Sequence, residues 1–420
     1  MVTVVLLLSG YAGYYLCRSN LSVTLPLLID HLAAQGMTSA DARIRLGTVS
    51  SMGVFAYALG KLVLAGTADF IGGRRTFLAG MGGAVLFTIA FSLAGGLPLF
   101  SLAWIGNRLV QSMGWAGTVK IASRWFSYSV YGSVMGIISL SYLFGDALAR
   151  AAMGVLIGYG YGWQAIFRTA AGGLFVLFVV NVVWLRESRT ELGYAAPAIH
   201  PQNVYRGDTV ATPGIRAILA PLARNAAFWV VCALSLGCTL VRETFNTWTP
   251  TYFHDAIGYA PGDAAQLSAL FPFVGGLSVI AAGIVGDRLG IRGRETIIAY
   301  GLALTTAALL LLALAHDTQS GAVPVALVTA VAFALIGPYS YLGGALAMDF
   351  GGEHGSATSS GIIDGVGYLG GVLAGDSIAR ISVAFGWSGA FLALAGVAAV
   401  STAAAMVLLV IRSRASQQIP

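Results

Sequence analysis

Twelve stretches of mostly apolar residues follow one another along this chain, and no other feature restricts its folding as strongly. They lie near 2–31, 46–69, 75–95, 97–124, 132–157 and 163–185, then near 226–256, 264–286, 294–315, 321–349, 356–382 and 387–411. About 20 such residues in a helix span a bilayer. The chain is 57% hydrophobic and only 10% charged, whereas a soluble domain carries roughly 25% charged residues. Too little charge is present to cover a water-facing surface, so the solvent is largely lipid. The reading is an all-α membrane protein with 12 transmembrane helices.

The net charge of +6 does not signal nucleic acid, because the basic residues are not run together. Their excess collects in short loops, as the positive-inside rule expects. Arg74 and Arg75 follow helix 2, and Arg288, Arg292 and Arg294 follow helix 8. The polar stretch from Arg186 to Arg224 and the C-terminus (Arg412, Arg414) are also basic. Loops near Leu97 and Gly160 are nearly uncharged, and Arg43 and Arg45, placed before helix 2, run against the trend. Both termini and the central loop are therefore expected in the cytoplasm, with the chain in the cytoplasmic (inner) membrane. Residues Val2 to Leu8 have no basic lead and no cleavage site, so they read as the first membrane helix rather than a leader, with a true start upstream left open. Cys17, Cys232 and Cys238 fall in apolar stretches without metal spacing and read as packed hydrophobes. No metal, cofactor or nucleophile triad is indicated, and no enzyme.

The chain repeats itself. Arg18 and Pro26 recur as Arg242 and Pro250, both at an offset of 224. Gly162-Trp163 with Phe167, Ala171 and Gly172 recurs at the same offset as Gly386-Trp387 with Phe391, Ala395 and Gly396. One offset at both ends of a six-helix block implies duplicated halves. The organisation expected is a six-helix bundle over 1–186, a central cytoplasmic loop over 187–224 and a second bundle over 225–420. In helices 5 and 11 two registers stay open: Gly136-Ile-Ile against Gly361-Ile-Ile at 225, and Gly145-Asp146 with Arg150 against Gly375-Asp376 with Arg380 at 230.

Arginine at the centre of a membrane helix is unfavourable by ~2.5–3.5 kcal/mol on insertion scales. Arg18 and Arg242 occupy equivalent places, and in a duplicated carrier such places meet near the midplane. Two guanidinium groups on one cavity repel unless an anion lies between them, and their forks match phosphate oxygens. Lys61 adds a third cation. Tyr57 shares a helix face with Lys61, and Tyr11 and Tyr15 share one with Arg18. Glu243, next to Arg242, is expected on a different helix face. Asp146 with Arg150 and Asp376 with Arg380, each four apart, read as structural pairs. Asp364 has no nearby cation in sequence and either balances the site or binds a proton.

The loop Gly66-Thr-Ala-Asp69-Phe-Ile-Gly72-Gly73-Arg74-Arg75, and its counterpart from Gly283 through Asp287, Arg288 and Gly290 to Arg294, resemble the cytoplasmic loop signature of the major facilitator superfamily. The resemblance implies that fold, two pseudo-symmetric six-helix bundles, with Asp69, Arg74, Asp287 and Arg288 as a conformational latch; an ordinary charged turn is the competing reading. Gly10-Tyr11 through Tyr15, Arg18 and Asn20 in helix 1 resemble the organophosphate:phosphate antiporter family. Tyr57 and Lys61, then Trp104, Asn107, Gln111, Gly114 and Trp115, then Arg242 with Trp248-Thr-Pro250-Thr-Tyr252, then Gly337-Pro338 and Gly367-Tyr368-Leu-Gly370-Gly371, agree across nearly the whole chain. Arg108-Leu-Val-Gln111 resembles a further facilitator signature whose Arg is tied to conformational change or proton transfer; packing is the alternative. The resemblance implies a monomeric carrier that exchanges a glycerol phosphate or sugar phosphate for inorganic phosphate by alternating access, with Arg18, Arg242, Lys61, Tyr11, Tyr15, Tyr57 and Tyr368 binding substrate. A sugar-phosphate sensor and a proton-coupled carrier of another organic anion are the alternatives. The glycerol-phosphate branch has a helix 5 His where this chain has Leu143-Phe144-Gly145-Asp146, and none of its histidines (31, 200, 254, 316, 354) lies mid-helix.

Overall fold

A computed structural model of the protein describes residues 2–64, 67–195, 215–289, 293–315 and 321–416. Lipid offers no partner to a bare peptide group, so long apolar segments close their hydrogen bonds internally as helices. The first run comprises α1 (Val2–Tyr14), α2 (Leu16–Ala34), α3 (Ser39–Val63), α4 (Thr67–Ile71), α5 (Gly73–Leu93), α6 (Leu97–Gln111), α7 (Met113–Trp125), α8 (Tyr128–Gly158) and α9 (Trp163–Trp184). There follow α10 (Ile215–Arg224), α11 (Ala226–Asp255), α12 (Pro261–Ser268), α13 (Leu270–Leu289), α14 (Gly293–Leu314), α15 (Ala322–Tyr341) and α16 (Ala347–Ser416).

Nine helices among the described residues are long and apolar enough to cross a membrane. The count of twelve returns once three features are recognised. Helix 1 is broken at Tyr15 into α1 and α2, helix 4 is broken at Ser112 into α6 and α7, and α16 holds two spans in one helical run. A straight helix of 70 residues would be about 105 Å long, more than twice a bilayer. The run instead doubles back along α11. On the outward course Gly367 packs on Ser235, and Trp248 Nε1 donates to the Ala374 carbonyl at 2.9 Å. On the return Tyr252 meets Trp387 and Phe391, and Gly237 meets Ser401. The reversal falls at Gly386, whose φ of 69° is open to glycine at little steric cost.

Helix 2 starts earlier than the hydropathy suggests. Thr38 caps α3 by accepting the Asp41 amide at 3.1 Å, and Asp41 favours the positive end of the helix. Arg43 and Arg45 therefore lie inside the first turns of α3 and not in a preceding loop.

The chain forms two compact units: Met1–Val210 with Ala260–Ala269, and Ala211–Tyr259 with Leu270–Pro420. In the first, Phe91 stacks on Phe100 and Phe167 with centroids 4.7 and 4.3 Å apart, and Trp163 closes the group. In the second, Phe245 stacks on Phe271 and Phe391, with Trp387 beside Tyr252. The repeated Gly-Trp and Phe signature thus serves packing in both halves. Leu62, Leu102, Leu148, Leu304, Leu314 and Val400 are each more than 60% exposed on helix surfaces, a distribution suited to lipid and not to water.

Close packing also decides between the two registers. A Cβ on Gly145 would lie 2.8 Å from the Ala12 Cα, and one on Gly370 would lie 2.2 Å from the Leu236 carbonyl. Ala12 and Leu236 stand at an offset of 224, and Gly145 and Gly370 at one of 225. The equivalence is 225, so the likeness of Asp146/Arg150 to Asp376/Arg380 is not a repeat.

Candidate functional site

In the first unit the predicted residues gather around Tyr57. This residue is 3% exposed. The Arg18 guanidinium carbon lies 4.4 Å from the ring centroid, Lys61 Nζ 5.5 Å and the Arg108 guanidinium carbon 4.9 Å. Arg18 also lies 5.2 Å from the Tyr15 ring. Tyr11 contacts Tyr15, Tyr14 and Trp115 at centroid distances of 6.2, 5.9 and 5.3 Å. The side chains read from the first two membrane helices of the sequence are therefore assembled in one place.

Local structure puts them there. At the break, the Arg18 and Ser19 amides both donate to the Tyr15 carbonyl, at 3.2 and 3.0 Å. Gln111 Nε2 donates to the Cys17 carbonyl at 3.0 Å and to Asn107 Oδ1 at 2.6 Å, and Asn107 Nδ2 donates to Thr88 Oγ1 at 2.8 Å. This buried chain anchors α2 one residue before Arg18. Tyr14 donates to the Phe77 carbonyl at 2.6 Å and so turns away from the cluster.

Sequence alone leaves Arg108 open between packing and function, and the structure brings it onto Tyr57. Gly53 and Gly60 on α3 let α6 approach closely: a Cβ on Gly53 would lie 2.4 Å from Trp104 Nε1 and 3.0 Å from Arg108 Cγ. The available signal was an Arg four residues after Trp104 in an apolar helix; its partner ring lies on another helix.

Asp146 and Arg150 form the expected pair at 2.9 Å, and both are buried. Asp146 also accepts from Ser19 Oγ, and Arg150 reaches Ser22 and Ser268 at 3.4 Å each. Asp376 and Arg380 pair at 2.7 Å with the Arg side chain 61% exposed. These carboxylates are engaged structurally, as the spacing predicts.

In the second unit Arg242 lies 4.6 Å from the Tyr339 ring. Contrary to expectation, Glu243 does not turn away: Arg242 Nη2 donates to Glu243 Oε1 at 2.7 Å. The guanidinium is long enough to bridge the roughly 100° between successive helix positions. Tyr339, which sequence reasoning missed, is within electrostatic reach of Arg242, Asp364 and Tyr368. Tyr368 is 9% exposed. The backbone beside Tyr339 is irregular. Ser278 Oγ accepts the Gly337 amide at 3.1 Å and donates to the Phe333 carbonyl, so a side chain enters the ladder just before Pro338. A π turn over Leu342–Leu346 follows, with Asp364 against Gly343. Such turns concentrate at functional sites.

The expected latch is placed only in part. The side chains of Asp69 and Asp287 lie outside the described residues. Arg74 donates from Nε to the Leu185 carbonyl and from Nη2 to the Val182 carbonyl, both at 2.6 Å. The acid at the start of α5 is Glu187, which accepts the Gly73 and Arg74 amides at 2.9 and 2.6 Å and pairs with Arg124 at 2.6 Å. Arg288 is exposed. His31 and His254 sit at helix ends, against Trp163 and the Tyr259 carbonyl. His354 falls in the α16 run with its side chain outside the described residues, as are His200 and His316 altogether. Among the described residues no group of three His, Cys, Asp or Glu side chains is placed to hold a metal ion.

Similar proteins share this plan. The chain is 25% identical over 409 residues to a probable hexose phosphate transport protein of Chlamydia pneumoniae, covering 93% of this chain and 87% of that one. It is 23% identical over 400 residues to the glycerol-3-phosphate transporter of Bacillus subtilis, covering 92% and 86%. Its fold matches a bacterial homologue of the human lysosomal transporter Spinster, crystallised inward-facing and unoccupied, with a TM-score of 0.76, 14% identity and coverage of 98% and 94%. The profile of the Major Facilitator Superfamily matches residues 7–375. With its all-helical, multi-pass architecture, this chain belongs to the Major Facilitator Superfamily of membrane transporters.

Proposed function

We propose that the protein carries an organic phosphate, a glycerol phosphate or sugar phosphate, across the membrane in exchange for inorganic phosphate. The observation that carries this reading is the convergence of Arg18 and Lys61 on one buried tyrosine ring. Repulsion between such cations falls when a phosphate dianion binds them, and guanidinium forks match its oxygens. The relatives named for hexose phosphate and glycerol-3-phosphate support the same substrate class. The proposed binding set is Arg18, Lys61, Tyr11, Tyr15 and Tyr57 from the first unit, with Arg242 and Tyr368 from the second. Asp69, Arg74, Asp287 and Arg288 form the proposed latch. A ligand shifts a carrier only through its differential affinity for two conformations, and relief of charge repulsion supplies that difference. The carrier works as a monomer in the cytoplasmic membrane, with both termini in the cytoplasm.

Proteoliposomes loaded with inorganic phosphate test the reading. External glycerol-3-phosphate or glucose-6-phosphate should drive efflux of labelled phosphate and enter in exchange. Binding without counterflow would identify a sensor. Uptake driven by a pH gradient and indifferent to internal phosphate would identify a proton-coupled carrier and overturn the proposal.

A further inference from the structure

We infer that the end of the second unit formed by α10, the start of α11 and the last turns of α16 is a binding surface for an anionic phospholipid of the surrounding bilayer.

Asn225 opens α11 by accepting the Phe228 amide at 3.3 Å, and α11 over Ala226–Asp255 is long and apolar enough to cross the membrane. The helix directly before it, α10, therefore lies at the membrane border. Leu222 is buried, which seats α10 on its own unit, whereas Arg224 and Trp229 are exposed. Trp229 Nε1 donates to the Ala223 carbonyl at 2.9 Å, which fixes the indole beside Arg224. Indoles so placed favour the depth of the lipid headgroups.

The last arm of α16 reaches the same level. It runs antiparallel to α11, with Phe391 on Phe245 and Ser401 against Gly237. Asn225 and Ser413 each lie twelve residues beyond the second contact, about 18 Å at the helical rise. Val407 and Ile411 are exposed on that arm, and Arg412 and Arg414 follow in sequence. On both helices apolar surface thus gives way to basic charge at one depth, the profile of acyl chains under an anionic head. Residues 209–242 and 377–420 contain no Asp or Glu to oppose it. Asp349, next to the Phe350 that meets Phe228, pairs with Arg294 at 3.3 Å. Because this surface continues the lipid-facing surface of the membrane helices, its occupant is a bilayer lipid and not a soluble anion.

Full-length protein in detergent, titrated with phosphatidylglycerol or phosphatidylcholine of the same acyl chains and read by native mass spectrometry, tests the inference. A basic side chain at a membrane surface strengthens contact with anionic lipid about fivefold. With two of the arginines engaged, phosphatidylglycerol should be retained at about 25-fold lower concentration than phosphatidylcholine, and salt should shrink the difference. Arg224→Gln combined with Arg412→Gln should abolish most of the preference. Arg380→Gln, on the same helix but beside Asp376, should leave it intact. Brominated phosphatidylglycerol should quench the wild-type tryptophan emission more than that of Trp229→Phe. Equal retention of the two lipids, a preference that survives the double variant, equal loss in Arg380→Gln, or equal quenching in Trp229→Phe would each overturn the inference. So would displacement of the lipid by excess glycerol-3-phosphate, which would give the surface to soluble phosphate esters.

Discussion

Tyr57 carries more of the site than any other side chain, because three cations from three helices converge on its ring. Cation–π contact contributes about 0.5–2 kcal/mol for each partner, yet like charges so close oppose one another. On the proposed function, a bound anion tips that balance. In the proposed site Arg18 would act through the geometry of its fork as well as its charge, and a lysine reproduces only the charge. Arg18→Lys and Arg242→Lys should each reduce phosphate exchange at least about 100-fold, with membrane abundance unchanged by immunoblot. Wild-type flux in either variant would remove that residue from the binding set. Much of this was legible in the sequence. Arginines in apolar helices stand out by their insertion cost, and the spacing of Tyr57 with Lys61 and of Tyr15 with Arg18 gave the shared faces. The contacts of Arg108 with Tyr57 and of Tyr339 with Arg242 were not legible, because each is made by packing between helices distant in sequence. The Arg242–Glu243 pair was missed because helix periodicity describes Cβ directions and not the reach of a long side chain.

At the scale of elements, the buried Asp146–Arg150 pair ties α8 to α2 through Ser19 and Ser22. Removing one member of such a pair leaves a charge in low dielectric, at a cost of about 3–5 kcal/mol, whereas replacing both with apolar residues is often neutral. Asp146→Asn should therefore lower the thermal midpoint in detergent, and Asp146→Leu with Arg150→Leu should recover most of the loss. A single variant as stable as wild type would argue against a structural pair. Helix number and order were legible from hydropathy, because burying bare peptide groups in lipid leaves few alternatives. The breaks at Tyr15 and Ser112 were not, since apolar composition runs on through them while hydrogen bonding changes. Nor was the start of α3, where the Thr38 cap outweighs the local polarity of Arg43 and Arg45.

At the scale of the molecule, the duplication leaves a common packing plan with divergent chemistry. The Gly145 and Gly370 contacts hold the same register, but the first unit gathers Arg18, Lys61 and Arg108 on one ring while the second pairs Arg242 with Glu243. The orientation proposed from Arg74, Arg75, Arg288 and Arg294 is open to test. Fluorescent-protein fusions after residue 195 or at the C-terminus should glow, and a phosphatase inserted near Gly160 should be active only outside the cytoplasm; the opposite pattern would invert the topology. The turn at Gly386 carries a consequence for biogenesis. The apolar segment Thr358–Ile411, which includes it, contains 54 residues. With no hydrophilic stop between its two arms, the translocon receives them as a single hairpin, and both must leave for the bilayer together.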